Sequence, residues 1–92
     1  MNASYLEELM RRVSLPEVVR KHVTLEKSAH GWKGHCPFHD DVSPSFHVYR
    51  DHYHCFGCGI QGDAIAFVMQ SDGWGFRETV EELARSVGME MP

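Results

Sequence analysis

The sequence predicts a small α+β domain in which one bound metal ion holds an antiparallel sheet and its flanking helices together. Two ligand pairs, Cys36 with His39 and Cys55 with Cys58, each have a two-residue gap and are separated by fifteen residues. Alternating apolar and polar residues between the pairs predict a hairpin, and periodic apolar residues at both ends predict helices. At 92 residues, the hydrophobic core is marginal without such a crosslink.

The two ligand pairs predict a closed tetrahedral zinc site. A two-residue gap lets one tight turn direct both side chains at one ion, and two such turns supply three thiolates and one imidazole. Catalytic zinc sites usually keep a position open for water and use more nitrogen or oxygen ligands. We therefore expect one structural Zn²⁺ bound by Cys36, His39, Cys55 and Cys58, with no catalytic residue in the chain.

Other uses of the same residues are less consistent with their spacing. Of seven histidines, only His39 has the two-residue spacing from Cys36. Cys55 and Cys58 could cycle as a redox dithiol, but such pairs usually open a helix after a strand, whereas these lie in a turn flanked by glycines. Iron is a further alternative to zinc, although mononuclear iron sites of this type usually have four thiolate ligands.

The first part of the chain, residues 1–23, is predicted to be helical. Apolar residues from Tyr5 to Val13 recur at helical spacing and predict a short amphipathic helix. The sequence from Ser14 to Glu17 is a capping box with proline near the first helical position, which predicts a second helix. This helix is expected to end near residues 23–25, which have the composition of a strand.

The middle part, residues 24–62, is predicted to form the metal site and its sheet. Further strands are expected over 32–36, 45–49 and 53–56, with turns at 28–31 and 50–52. Gly57 and Gly59 flank Cys58, where positive φ angles would let backbone N–H groups turn towards the thiolates.

The last part, residues 63–88, is predicted to form two helices. Asp63 is a suitable cap for the first of them, and residues 71–75 interrupt the helical pattern. A final amphipathic helix begins at Phe76 and is ended by Gly88. The three parts together form a single domain over residues 1–92.

Composition limits the cellular setting and the binding partners. An odd number of cysteines argues against a disulfide framework, and the sequence lacks a secretory signal or a long apolar run. We expect a soluble protein of the reducing cytoplasm with no membrane contact. The formal charge is −4, so any nucleic acid would have to bind weakly, through a local basic or aromatic patch.

The predicted strands nevertheless offer such a patch. Aromatic residues alternate there with cations, so unpaired bases could stack and phosphates could be contacted. The candidates for binding are Lys27, Trp32, Lys33, Phe46, Tyr49, Arg50 and Tyr53, with Phe56 in the same stretch. Strand aromatics are more often core residues, and Phe38, Phe46 and Phe56 are also expected to pack on helices or to shield the metal.

The motifs resemble the N-terminal zinc-binding domain of bacterial DNA primases. The resemblance rests on Cys36-Pro37-Phe38-His39, on Ser43-Pro44-Ser45-Phe46, on the residues from Tyr53 to Gly59, and on those from Gly62 to Met69. The helices at both ends occur in the same order in that family, so the resemblance spans nearly the whole chain. It implies a zinc-ribbon fold that helps to select the single-stranded DNA template on which RNA primer synthesis starts.

The resemblance also implies partners, because catalysis in such proteins lies in a separate RNA polymerase domain. We expect this chain to be non-catalytic alone and to act with that domain in the same chain or on another subunit. One departure is the segment 40–43, which reads Asp-Asp-Val-Ser where the family usually carries a lysine. The missing lysine and the acidic charge favour an alternative: a zinc ribbon that only docks on proteins, either the polymerase domain or a replicative helicase.

Overall fold

The computed structural model, which describes residues 2–40 and 42–92, has a five-stranded sheet with four helices. All neighbouring strands are antiparallel and follow one another in chain order. The strands are β1 Glu26–Ser28, β2 Gly31–Gly34, β3 Phe46–Val48, β4 Tyr53–Cys55 and β5 Gln61–Gly62. The helices are α1 Ala3–Arg12, α2 Leu15–Arg20, α3 Ala64–Asp72 and α4 Phe76–Ser86. The predicted α+β class with an antiparallel sheet is therefore confirmed.

The helix ends follow from local hydrogen bonding. The side chain of Ser14 accepts a hydrogen bond from the Glu17 N–H, and Asp63 accepts one from the Ala66 N–H at 2.9 Å, so both predicted caps form. Helix α3 continues further than predicted, through Asp72, and ends where Gly73 adopts a left-handed φ of 71°. None of the helices in the described ranges is long and apolar enough to span a membrane.

The sheet separates its side chains into two faces. On the inner face Trp32, Val48 and Tyr53 lie opposite one another on β2, β3 and β4. Val48 and Tyr53 are fully buried in the core, which also contains Leu9 of α1 and Phe67 of α3. On the outer face the corresponding row across the sheet is formed by Glu26, Lys33, His47, His54 and Gln61, all of them half-buried or exposed.

Two details of the sheet differ from the sequence prediction. The first strand begins at Glu26 rather than at residue 23, because the Val23 N–H still donates to the Val19 carbonyl and closes the end of α2. The short strand β5 was not predicted, because two residues are too few to show a period. It forms because the turn after Cys55 brings Gln61 opposite His54.

Gly34 allows β2 to lie against the chain that follows α2. A Cβ atom at this position would be 2.6 Å from the Thr24 carbonyl oxygen and 2.9 Å from a Val23 methyl carbon. We predict that Gly34→Ala lowers the free energy of unfolding by about 1–3 kcal/mol, because the backbone must shift to admit the methyl group. The control is Gly75→Ala at the N-cap of α4, whose Cβ would meet nothing nearer than 4.0 Å, so that only the smaller loss of a weaker cap is expected there. Equal denaturation midpoints for the two variants would contradict this account.

Candidate metal centre and the outer sheet face

The two predicted ligand pairs converge at one end of the sheet. Cys36 follows β2 and Cys55 ends β4, while His39 and Cys58 lie in the turns that come after them. The ligand atoms of all four residues lie within 4.8 Å of one another. The Sγ atoms of Cys36 and Cys58 are 4.0 Å apart, and His39 Nε2 is 3.2 Å from the Cys55 Sγ.

This donor set fits zinc. A Zn–S bond of about 2.3 Å places tetrahedral ligand atoms about 3.8 Å apart, and three sulfurs with one imidazole nitrogen are a common structural zinc set. Among the described residues this is the one group of three or more such side chains close enough to hold an ion. The four donors would fill a tetrahedron and leave no open position, so the ion would crosslink the two turns.

Hydrogen bonds prepare one of the thiols for metal binding. Burial raises the pKa of the Cys55 thiol, but the contact with His39 and the backbone N–H groups of Cys58 and Gly57 outweigh burial and lower the pKa to about 6. Burial dominates at Cys36 and raises the pKa of that thiol to about 12. Cys36 therefore needs the positive charge of a metal ion to ionise near neutral pH.

The glycines of the second turn have different roles. Gly59 adopts a positive φ of 81°, as predicted, but Gly57 does not, so that part of the prediction is wrong. Gly57 is required by space instead, because a Cβ atom there would lie 2.8 Å from the Ser45 Oγ and 3.2 Å from the His39 Nε2. A side chain at residue 57 would therefore press on the candidate metal ligands.

Two of the predicted strand-binding residues lie in the core. Phe46 and Tyr53 are 0% exposed and stack on each other with ring centroids 5.3 Å apart. Tyr53 also meets Phe67 of α3 edge to face, at 5.6 Å. Base stacking by Phe46 and Tyr53 is therefore inconsistent with the structure, because both rings point to the inner face of the sheet.

The other predicted residues fall on two sides of the sheet. Lys27 and Trp32 lie on the inner face at the β1 edge, where the Lys27 Nζ is 5.6 Å from the centre of the indole ring. Arg50 is exposed in the β3–β4 turn, and Lys33 and Tyr49 belong to the outer face. The structure therefore does not bring all seven predicted residues together.

The outer face carries a continuous set of rings that we call the outer-face ring row. It consists of His54, Phe56, His47, Tyr49 and His52, with centroid distances between successive rings of 4.4, 5.0, 6.4 and 4.6 Å. Two alternatives were predicted for Phe56, base stacking or packing on helices and the metal; it is 63% exposed and stacks on His54, which is inconsistent with packing on the helices. No binding role was predicted for the histidines of this row, although they alternate along the strands with the buried Phe46, Val48, Tyr53 and Cys55.

The distribution of ion pairs distinguishes the cations of the helices from those near the sheet. Five arginines on the helices each contact a glutamate of the same helix. Within residues 2–40 and 42–92, Lys21, Lys27, Lys33 and Arg50 contact no carboxylate within ion-pair distance. Three of these four cations were predicted to bind a strand.

A cleft with a volume of about 930 Å³ lies on the helix side. Apolar side chains from α1, α3 and the start of α4 line it, together with Trp32 and with charged residues of α1 and of the β3–β4 turn, among them Arg11, Arg50 and Asp51. The cleft lies on the helix side and the ring row on the outer face, and the two meet at the β3–β4 turn, where Arg50 and Asp51 line the cleft and His52 belongs to the row.

Comparisons with known proteins agree with this geometry. The sequence profile of the CHC2 zinc finger family matches residues 1–92. The DNA primases of Pseudomonas putida and Chlamydia trachomatis are 44% and 43% identical to the chain over 91 and 88 residues, covering 97% and 94% of it. The chain spans only 14% and 15% of the length of these two relatives.

A solved structure has the same fold. The crystal structure of the Aquifex aeolicus primase, with its zinc-binding and RNA polymerase domains, superposes with a TM-score of 0.89 at 35% identity. The match covers 100% of this chain and 23% of that chain. With its cluster of three cysteines and one histidine, the chain belongs to the CHC2 zinc finger family and is a DNA primase zinc-binding domain with one structural zinc.

Proposed function

We propose that this domain binds the single-stranded DNA template on which a primase starts an RNA primer, and that it does so with the outer face of its sheet. The observation that carries the proposal is the outer-face ring row beside Lys33, a cation with no ion pair among the described residues. Stacking of an unpaired base on an aromatic side chain contributes about 1–3 kcal/mol. A few such contacts are enough for weak binding by an acidic domain.

The same proposal assigns the metal ligands. Cys36, His39, Cys55 and Cys58 hold one Zn²⁺, which fixes the turn after β4. Phe56 lies inside that turn, and its N–H donates to the Ser45 carbonyl at 2.9 Å. The zinc therefore contributes to binding by holding a stacking ring in place, while it takes no part in catalysis.

Primer synthesis itself is assigned to a separate RNA polymerase domain, as the composition of the Aquifex aeolicus protein suggests. We propose that such an RNA polymerase domain is the partner of the present chain in the cytoplasm. The two would lie in the same polypeptide or on separate subunits. The described residues contain no second cluster of metal-binding side chains that could serve catalysis.

The cleft on the helix side supports a second candidate function, docking on a protein such as the polymerase domain or a replicative helicase. Its walls are mostly apolar, and Phe76 at its margin is 45% exposed. The two functions share the β3–β4 turn, because Arg50 and Asp51 also line the cleft, but they otherwise use opposite sides of the sheet. Only strand binding requires the isolated domain to have affinity for DNA, so a DNA-binding measurement distinguishes the two functions.

We predict that Cys36→Ser, His39→Ala, Cys55→Ser and Cys58→Ser each lose zinc and unfold or become loosely packed, because the free energy of structural zinc binding is folding free energy. A strong chelator should have the same effect on the wild type. Metal analysis with thermal denaturation checks this. The control is His22→Gln, which alters a histidine on the helix side that contacts Asp72 at 3.3 Å. If all four ligand variants keep zinc and a cooperative transition, the ligand assignment is wrong.

We predict that Lys33→Ala and Arg50→Ala each weaken binding to a short single-stranded DNA by about three- to tenfold at low salt without changing stability, since each removes a phosphate contact. Fluorescence anisotropy at two salt concentrations measures this. The matched control is Arg77→Ala, because Arg77 is exposed on α4 and contacts Glu81 at 3.0 Å. Wild-type binding that is absent even at low salt would leave protein docking as the function of the domain.

A further inference from the structure

We propose that His47 and His52 bind the phosphates of the strand as imidazolium ions, so that strand binding takes up protons. This inference rests on the proposed function and concerns the same outer face. It assigns a role to side chains that are ordinarily close to neutral at physiological pH, because histidine ordinarily titrates near pH 6.5. A strand brought to this face would then bind more tightly as the pH falls.

The outer face has too few permanent positive charges to bind a phosphate backbone by lysine and arginine alone. Lys33 is the one lysine or arginine in the row of residues that crosses all five strands, and its cross-strand neighbour is Glu26. The formal charge of the whole chain is −4 with neutral histidines. A phosphodiester backbone laid across this row therefore meets few permanent cations, and the imidazoles are the groups there that can become cationic.

His47 is central in this row and half-buried. Its cross-strand neighbours are Lys33 on β2 and His54 on β4, and its ring meets Tyr49 at 6.4 Å and Phe56 at 5.0 Å. Glu26 lies one strand further away, opposite Lys33. No carboxylate among the described residues lies within ion-pair distance of His47, so a phosphate would be its first anionic partner.

His52 lies at the end of the row, in the β3–β4 turn. Its ring stacks on Tyr49 at 4.6 Å, and its Nδ1 is 2.9 Å from the Asp51 Oδ1. Arg50 is the other charged residue of the turn. The contact with His52 is the main cause of the lowered pKa of Asp51. The second ring nitrogen remains available to a phosphate.

Proton uptake follows because strand binding and protonation of the histidines are linked equilibria. A negative charge within about 4–6 Å favours the protonated form of an imidazole, so a bound phosphate makes His47 and His52 hold their protons to higher pH. The complex then carries more protons than the free partners across this pH range. Affinity must therefore rise as the pH falls, and the effect ends where the free imidazoles are already protonated.

The test measures the affinity of zinc-loaded protein for an oligothymidylate between about pH 6 and about pH 8, at constant ionic strength. The bases of this probe do not titrate in that range. We expect about tenfold tighter binding at the lower pH for the wild type. The double variant His47→Gln, His52→Gln should change by less than about twofold over the same range. Calorimetry in two buffers of different ionisation enthalpy counts the protons taken up.

Controls separate this effect from changes at the metal centre. His35 and His54, which neighbour candidate metal ligands, are unchanged in every protein, and zinc content is measured in each sample. His22→Gln, on the helix side, should retain the wild-type pH dependence. The inference is overturned if the wild type binds equally well at both ends of the range, or if the double variant keeps the full pH dependence. Absence of binding at every pH would instead overturn the proposed function itself.

Discussion

Coordination of one ion by side chains from two separate turns is the constraint on which the rest of the structure depends. The segment between β2 and β3 is eleven residues, 35–45, without a helix or strand in its described part, and Cys36 and His39 lie near its start. The β4–β5 turn supplies Cys55 and Cys58. Phe38 of the first turn and Ile60 after the second pack against the core, and the metal crosslink joins the two turns to each other at this end of the sheet.

The sheet uses its two faces differently. The inner face completes a core with the helices, in which the rings of Phe46, Tyr53 and Phe67 pack together. On the outer face Phe56 and His52 are exposed, whereas His47, Tyr49 and His54 are half-buried. An open antiparallel sheet of this kind is a suitable platform for unpaired bases, because every base has a flat face that can stack without sequence-specific contacts.

The sequence predicts the local features of this domain well. It predicts poorly which strand side chains lie on the inner face of the sheet and which on the outer face. The ligand spacing, the Ser14 and Asp63 caps and the Gly59 turn depend on residues a few positions apart, and all of these features are present in the structure. The alternation in 46–49 is ambiguous, because both sets of alternate residues contain an aromatic ring. Only the register with Cys55, which must point towards the metal, places Phe46 inside and Tyr49 outside.

The proposed interaction with DNA is weak and sensitive to salt and protons, which would suit a domain that acts with a separate catalytic domain. The free cations near the sheet are few, and the helical arginines are already engaged by glutamates. Tight binding to DNA by this domain alone is therefore not expected. When a weak site is tethered to a second site on the same strand, the effective concentration raises the overall affinity without any new contact. If the domain binds the template as proposed, weak binding would let the template be held during initiation and released once a primer has been made.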